Sequence, residues 1–168
     1  MSLELLNTGG TLITVIIVAT AASAALVQLR HLRAGNQINA MLAIGEELNA
    51  RPSLDAAALT RNRLMTSLNN PEFRTYSVAR HRGQSTPDES PEYVELRAAS
   101  HLVANTYEEL GILVKRGIVD KEMFLDLYAW QIVGRWKRME AYIALTREAA
   151  GQNALFENFE CLAVISED

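Results

Sequence analysis

Three histidines, one cysteine and scattered carboxylates are the residues of this chain whose chemistry could be put to use. His31, His81 and His101 fall on separate elements, and none has a second His, Cys or acid at an HxxxH or ExxH spacing. A divalent-metal site needs three or four converging ligands, so none is expected. Glu108 and Glu109, beside Tyr107, could share acid–base work only in one pocket. Adjacent helix positions point about 100° apart, so one of the two is expected to be merely solvated. The serines lack a GxSxG elbow, and neither GxxxxGK[ST] nor GxGxxG occurs. Cys161 lies among Phe156, Phe159, Leu162 and Val164 and reads as a buried, inert thiol. A single cysteine rules out an internal disulfide and fits a reducing compartment. No catalytic, cofactor-binding or metal residue is assigned and no cofactor is expected, so the chain reads as a non-enzyme.

The element that must position everything else lies at the start. No charged residue occurs between Glu4 and Arg30, and Gly9 to Leu29 reads GGTLITVIIVATAASAALVQL. As a helix this is about 32 Å long, against a hydrocarbon core of about 30 Å. Thr11, Thr14, Thr20 and Ser23 are tolerable there because hydroxyls can bond back to the helix. A cleavable signal peptide would want a basic start, and the only early charge is Glu4, although Ala22-Ser23-Ala24 resembles a cleavage site. Residues 9–29 are therefore expected to be a transmembrane helix. Ala21 and Ala25, four apart, permit close helix approach.

Charge sets the expected direction. Arg30, His31 and Arg33 follow the span directly, whereas only Glu4 is charged before it, so the body should be cytoplasmic and residues 1–8 extracytoplasmic. The expected location is the inner (cytoplasmic) membrane. Residues 30–83 hold eight Lys/Arg and four Asp/Glu; residues 84–168 hold eight and fifteen. Basic beside the span and acidic beyond it suits an anionic leaflet, and solvated helix faces would read the same way. The formal net charge of −4 offers no support for nucleic-acid binding.

Beyond the span, near-helical spacing of Leu32, Ile38, Met41, Leu42, Ile44 and Leu48 extends the helix towards residue 50 despite Gly35 and Gly45. Arg51-Pro52-Ser53 should end it, with Ser53 capping a second helix that stops at Asn69-Asn70-Pro71; residues 71–82 suggest a short third. Residues 83–91, GQSTPDESP, read as an exposed linker. Two long helices follow, Glu92 to Arg116 and Asp120 to Ala150, broken at Gly117 and Gly151; residues 153–165 form a last short one. Phe124, Tyr128, Ile132, Trp136, Met139 and Ile143 share one stripe, which makes Trp136 a core residue. The expected division is thus 1–8, span 9–29, juxtamembrane helices 30–82, linker 83–91 and a helical hairpin with a short helix over 92–168. The fold class is all-α: a single N-terminal transmembrane helix continuing into a cytoplasmic antiparallel helical bundle.

Tyr107-Glu108-Glu109, the Arg116-Gly117-Ile118-Val119-Asp120 turn, Tyr128, Trp136, Arg147 and Phe156-Glu157-Asn158-Phe159-Glu160 carry a resemblance. From about Ala99 to Ser166 the chain resembles a bacterial family known only as a domain of unknown function, whose members have an N-terminal membrane helix. The resemblance implies a membrane-tethered helical domain and transfers no catalytic residue. The expected role is an interaction or accessory subunit, with the lipid bilayer and either another membrane protein or further copies of this chain as partners. Its assembly face would be Ala21, Ala25, Leu32, Ile38, Met41 and Leu42, and its lipid or partner contacts Arg30, Arg33, Arg135, Lys137 and Arg138. A membrane-tethered sensor responding to a ligand, or an enzyme built around Glu108, Glu109 and Arg135, are the alternatives.

Overall fold

A computed structural model describes residues 3–84 and 89–167, with side chains from Gly10 onward. Among the described residues the fold is all-α, without strands. It divides into two compact units, one ending at Ala40 and one beginning at Met41. The linker expected over 83–91 falls partly on residues 85–88, outside the described residues.

Helix α1, Leu3–Asn49, is continuous, so Leu3–Thr8 are already helical and neither Gly35 nor Gly45 interrupts it. In the first unit every residue from Gly10 to Asn36 is exposed, including Leu12, Ile16, Ile17 and Leu26. Thr14, Thr20 and Ser23 donate their hydroxyl hydrogens to the carbonyls of Gly10, Ile16 and Ala19, four residues back, at 2.8–2.9 Å. These three hydroxyls are thereby paired within the helix itself.

The second unit is a bundle. Met41, Ile44 and Leu48, at spacings of three and four, are the part of α1 that belongs to it, and all three are buried. Helix α2, Arg51–Leu59, passes through a π-helical turn, Thr60–Leu64, into α3, Met65–Leu68. Its N-cap is Ala50, with Pro52 inside the first turn, and not Ser53 as the sequence suggested. Pro52 lacks an N–H and suits that first turn, and Ser53 lies inside the helix, its hydroxyl reaching back to Glu47 at 3.5 Å. The π turn keeps Thr60, Leu64 and Leu68 all buried at four-residue intervals. The Thr60 hydroxyl spans the carbonyls of Ala56 and Ala57, at 3.0 and 3.1 Å.

Helix α4, Pro71–His81, is capped by Asn70, whose side chain accepts from the Glu72 amide at 2.9 Å. It lies beside α5, Pro91–Lys115, with Phe73 against Tyr93 and His81 against His101. Both contacts are offset by twenty residues, so α4 and α5 run in the same direction. The start of α5 therefore lies beside the start of α4, about 16 Å from its end. Arg80 pairs with Glu89 at 3.1 Å and Arg63 with Glu92 at 2.7 Å, tying the residues around the start of α5 to α4 and to the π-helical turn.

Gly117, with φ 64°, supplies the left-handed residue that stops α5, and the Asp120 carboxylate accepts from the Met123 amide at 2.9 Å to start α6, Lys121–Ala150. Gly151, also at φ 64°, ends α6. The chain then turns through 152–156 before α7, Glu157–Glu167, so the last helix starts later than its sequence suggested. The turn ends on Phe156 at φ 58°, a left-handed conformation unusual for a bulky residue. Helix α7 lies across α5 and α6. Phe159, Leu162 and Ala163 face inward, which carries Cys161 to the outside: it is exposed and is not the core thiol expected. Trp136 is likewise only half-buried, because it sits at the rim of α6 under the edge of Phe159 (centroids 5.1 Å apart), while Ile132, Met139 and Ile143 take the centre.

At Gly111 two helices approach so closely that an added Cβ would collide with the Asn158 backbone carbonyl. Because the obstacle is backbone, Gly111→Ala should destabilise the fold by roughly 1–3 kcal/mol. Thermal melts of the full chain in detergent, followed by circular dichroism, should show the midpoint falling by several degrees; an unchanged midpoint would refute this packing.

Candidate functional site

The family-like residues Tyr107, Glu108, Trp136, Arg147, Phe156, Asn158, Phe159 and Glu160, scattered over fifty positions, meet at one place. The Glu108 carboxylate accepts from the Phe159 backbone N–H at 2.9 Å and from Asn158 Nδ2 at 2.6 Å. It thereby satisfies an amide that the first turn of α7 would otherwise leave unpaired. Tyr107 stacks on Phe159 at 5.0 Å. Arg147 donates to the Leu155 carbonyl at 2.7 Å and to Glu160 at 2.8 Å, tying down the turn before α7. Glu109 is exposed. Glu108 is thus a helix cap, and its neighbour points elsewhere, so the two carboxylates share no pocket.

The structure does bring two histidines together. His81 on α4 and His101 on α5 lie with Nε2 atoms 3.3 Å apart, with Tyr142 of α6 and Phe156 against the pair. Between the Phe73–Tyr93 and His81–His101 rungs, the twenty-residue offset sets Ser77 opposite Arg97. Ser77 Oγ and Arg97 Nε are buried without a hydrogen-bond partner among the described residues. Burial, then the Arg97 charge, and then His81 itself, hold His101 down at about 4, and burial followed by Arg97 lowers His81. No group of three or more His, Cys, Asp or Glu able to hold a metal occurs among the described residues. The pair was invisible in sequence because twenty positions separate the two rings and only the parallel packing of α4 and α5 joins them.

A small pocket lies between the end of α1, α2, α5 and α6. Leu48, Ala57, Leu102 and Val103 form its apolar walls, and Ser53, Thr106, Tyr107, Gln131 and Arg135 its polar ones. It offers about 20 Å³, room for one or two waters. The Tyr107 hydroxyl is buried there, beside Gln131 and Arg135. Burial pushes its phenol up, opposed by the Arg135 charge and by hydrogen bonding with Arg135 and Gln131. Arg135 therefore faces an internal space, whereas Lys137 pairs with Glu167 at 3.3 Å and Arg138 bonds the Gly134 carbonyl at 2.7 Å. Arg30 and Arg33 are exposed on α1.

Of the residues named for assembly, Ala21, Ala25, Leu32, Ile38 and Leu42 are exposed, and Met41 is buried in the bundle. One exposed apolar stripe escaped the sequence analysis: Met123, Leu127 and Trp130 on α6, with Trp130 90% and Leu127 64% exposed. Their spacing of four and three is itself a helical stripe. It went unread because Phe124, Ile132, Met139 and Ile143 supply a second stripe on the same helix, and that one is buried.

The family described as a domain of unknown function, DUF4760, matches residues 15–164. No curated protein matches the chain, and no solved structure does.

The histidine pair makes stability depend on pH. The folded pKa of His101, about 4, lies below the ordinary 6.5, so the unfolded chain binds more protons between these values. The stabilisation is complete above about pH 6.5 and is lost as pH falls towards about 4. Melting midpoints of the wild-type chain should drop across that window, and His101→Phe should flatten the drop; parallel profiles for the two proteins would refute the linkage.

Proposed function

The chain belongs to the DUF4760 family, and from that premise we propose that it is a single-pass membrane-anchored helical interaction protein, with its bundle on the cytoplasmic side and no enzymatic role. The observation that carries this reading is the exposed part of α1, from Gly10 onward. A helix apolar enough to cross a membrane exposes Leu12, Ile13, Val15, Ile16, Ile17, Val18 and Leu26, and none of its most apolar window is buried. The core helix of a soluble protein would cover such residues. Lipid is the medium that covers them without cost, and the hydroxyls bonded back at Thr14, Thr20 and Ser23 suit that medium. The same helix carries on without a break to Asn49, with its last turns buried in the bundle, which favours a retained anchor over a removable leader.

Arg30 and Arg33 after the apolar segment favour a cytoplasmic bundle in the inner membrane. An interaction role is supported by what the surface displays. Ala21 and Ala25 offer a close-approach face in the span, and Leu32, Ile38 and Leu42 remain exposed beyond it. Met123, Leu127 and Trp130 add an apolar strip of the kind that marks contact surfaces. The partner is another membrane protein or further copies of this chain; purification in mild detergent distinguishes a fixed companion from a homo-oligomer.

Cys161, exposed and the only cysteine, is a built-in topology probe. A membrane-impermeant maleimide should leave Cys161 unlabelled in sealed, right-side-out vesicles and label it after permeabilisation. Labelling in sealed vesicles would place the bundle on the other side.

A further inference from the structure

We propose that Arg97, Ser77 and the His81–His101 pair form a site for a small monovalent anion, of the chloride class, at the seam between α4 and α5. Thr60, Ser77, Ser100 and Thr146 are the buried serines and threonines among the described residues. Thr60, Ser100 and Thr146 each donate to the carbonyl four residues earlier, at 2.7–3.0 Å. Ser77, wholly buried, has the same option in the Phe73 carbonyl and does not take it, so its hydroxyl is turned elsewhere. The twenty-residue offset between the two helices sets Arg97 opposite it. Arg97 Nε is likewise buried and unpartnered, and no ion pair among the described residues includes Arg97. Arg63, Arg80 and Arg147, by contrast, each hold a carboxylate at 2.7–3.1 Å.

Two buried donors thus face one another beside a fixed positive charge, and leaving both unserved is costly. One turn further on, the His81 and His101 Nε2 atoms lie 3.3 Å apart. The groups that face this pair are Arg97, Tyr142 from α6 and Phe156 from the turn before α7, and none is acidic. A guanidinium, a hydroxyl and two imidazoles without a counter-charge suit an anion and repel a cation. The seam is narrow, with the two imidazole centroids 4.9 Å apart, so the ion must be small. A halide meets that limit and accepts hydrogens from any direction. Arg97 is half-buried and Ser77 wholly buried, so the ion reaches the hydroxyl from the guanidinium side. The rings report its presence. Burial and then the Arg97 charge lower both histidines. A bound negative charge offsets Arg97 and raises them, so anion and proton favour each other's binding. Every residue involved lies in the bundle, so the membrane reading does not enter.

Sodium chloride is the probe, and sodium gluconate, too bulky for the seam, is the reference salt. The full chain in detergent, labelled with ¹³C at histidine Cε1, is titrated with pH by NMR while chloride replaces gluconate at constant ionic strength. The His101 titration midpoint should climb with chloride and level off about one pH unit higher, which corresponds to a 10-fold preference of the anion for the protonated pair. His31, exposed on α1, is the internal control and should not move. Arg97→Gln should raise the midpoint in gluconate and abolish the response to chloride, and Arg97→Lys should restore part of it. Ser77→Ala, which keeps every charge, should raise the half-saturating chloride about 10-fold, the usual size of one hydrogen bond to a charged group. Chloride-35 linewidths at pH 6 give a second readout, an excess broadening that Arg97→Gln removes. The proposal is overturned by a His101 midpoint indifferent to chloride, by an equal movement of His31, or by a response or broadening that survives in Arg97→Gln.

Discussion

The bundle depends on one side chain completing another helix. Glu108, in the middle of α5, accepts the Phe159 backbone amide at the start of α7, and an amide so placed carries the positive end of its helix. Two acceptor oxygens on one rigid helix fix both where α7 begins and how it is turned. The absent side chain at Gly111, one turn further on, then lets the α7 backbone settle against α5. With α7 in that position Phe159 reaches Tyr107 on one side and Trp136 on the other, so three helices share one aromatic cluster. Removing the carboxylate would leave an amide unpaired at an interface with no room to rearrange.

The left-handed Phe156 belongs to the same arrangement. Such a backbone is unfavourable by about 1–3 kcal/mol for a bulky residue and persists only where its surroundings insist on it. Here Arg147 holds the carbonyl of Leu155 and the carboxylate of Glu160 on either side of it. The Phe156 ring, buried, meets His101 at a centroid distance of 6.4 Å. The strained turn thus connects the α7 cap to the histidine pair.

Much of the helical layout was legible because its signals are local. Gly117, Asp120 and Gly151 act through their own backbone or the next turn, and the structure uses each as the sequence suggested. Ser53 misled because Pro52 is as good a first-turn residue as it is a breaker, and Ala50 took the cap. Cys161 and Trp136 misled for a different reason: apolar neighbours do not say which side of a helix faces inward. Helix α6 carries two apolar stripes, and only the arrival of α7 and α4 decides between them. The site residues were hardest to read. Glu108 and Phe159 are fifty-one positions apart and His81 and His101 twenty, so their pairing exists only after the helices have packed.

The π turn at Thr60–Leu64 has a consequence for how this segment can change by insertion and deletion. Residues four apart on an α-helix drift by about 40° with each step. From Ala56 through Thr60 and Leu64 to Leu68 that drift would carry the last leucine away from the core, yet all four are buried. A wider π turn winds fewer degrees per residue and cancels the drift. Loss of one residue from this turn would restore ordinary winding and preserve the helix. The same loss would leave Leu68 within about 20° of its present direction, because eleven ordinary steps from Ala56 come that close to three whole turns. The segment is continuous helix by appearance, yet it holds one residue more than ordinary winding needs, and that residue can be lost without turning the helices that follow.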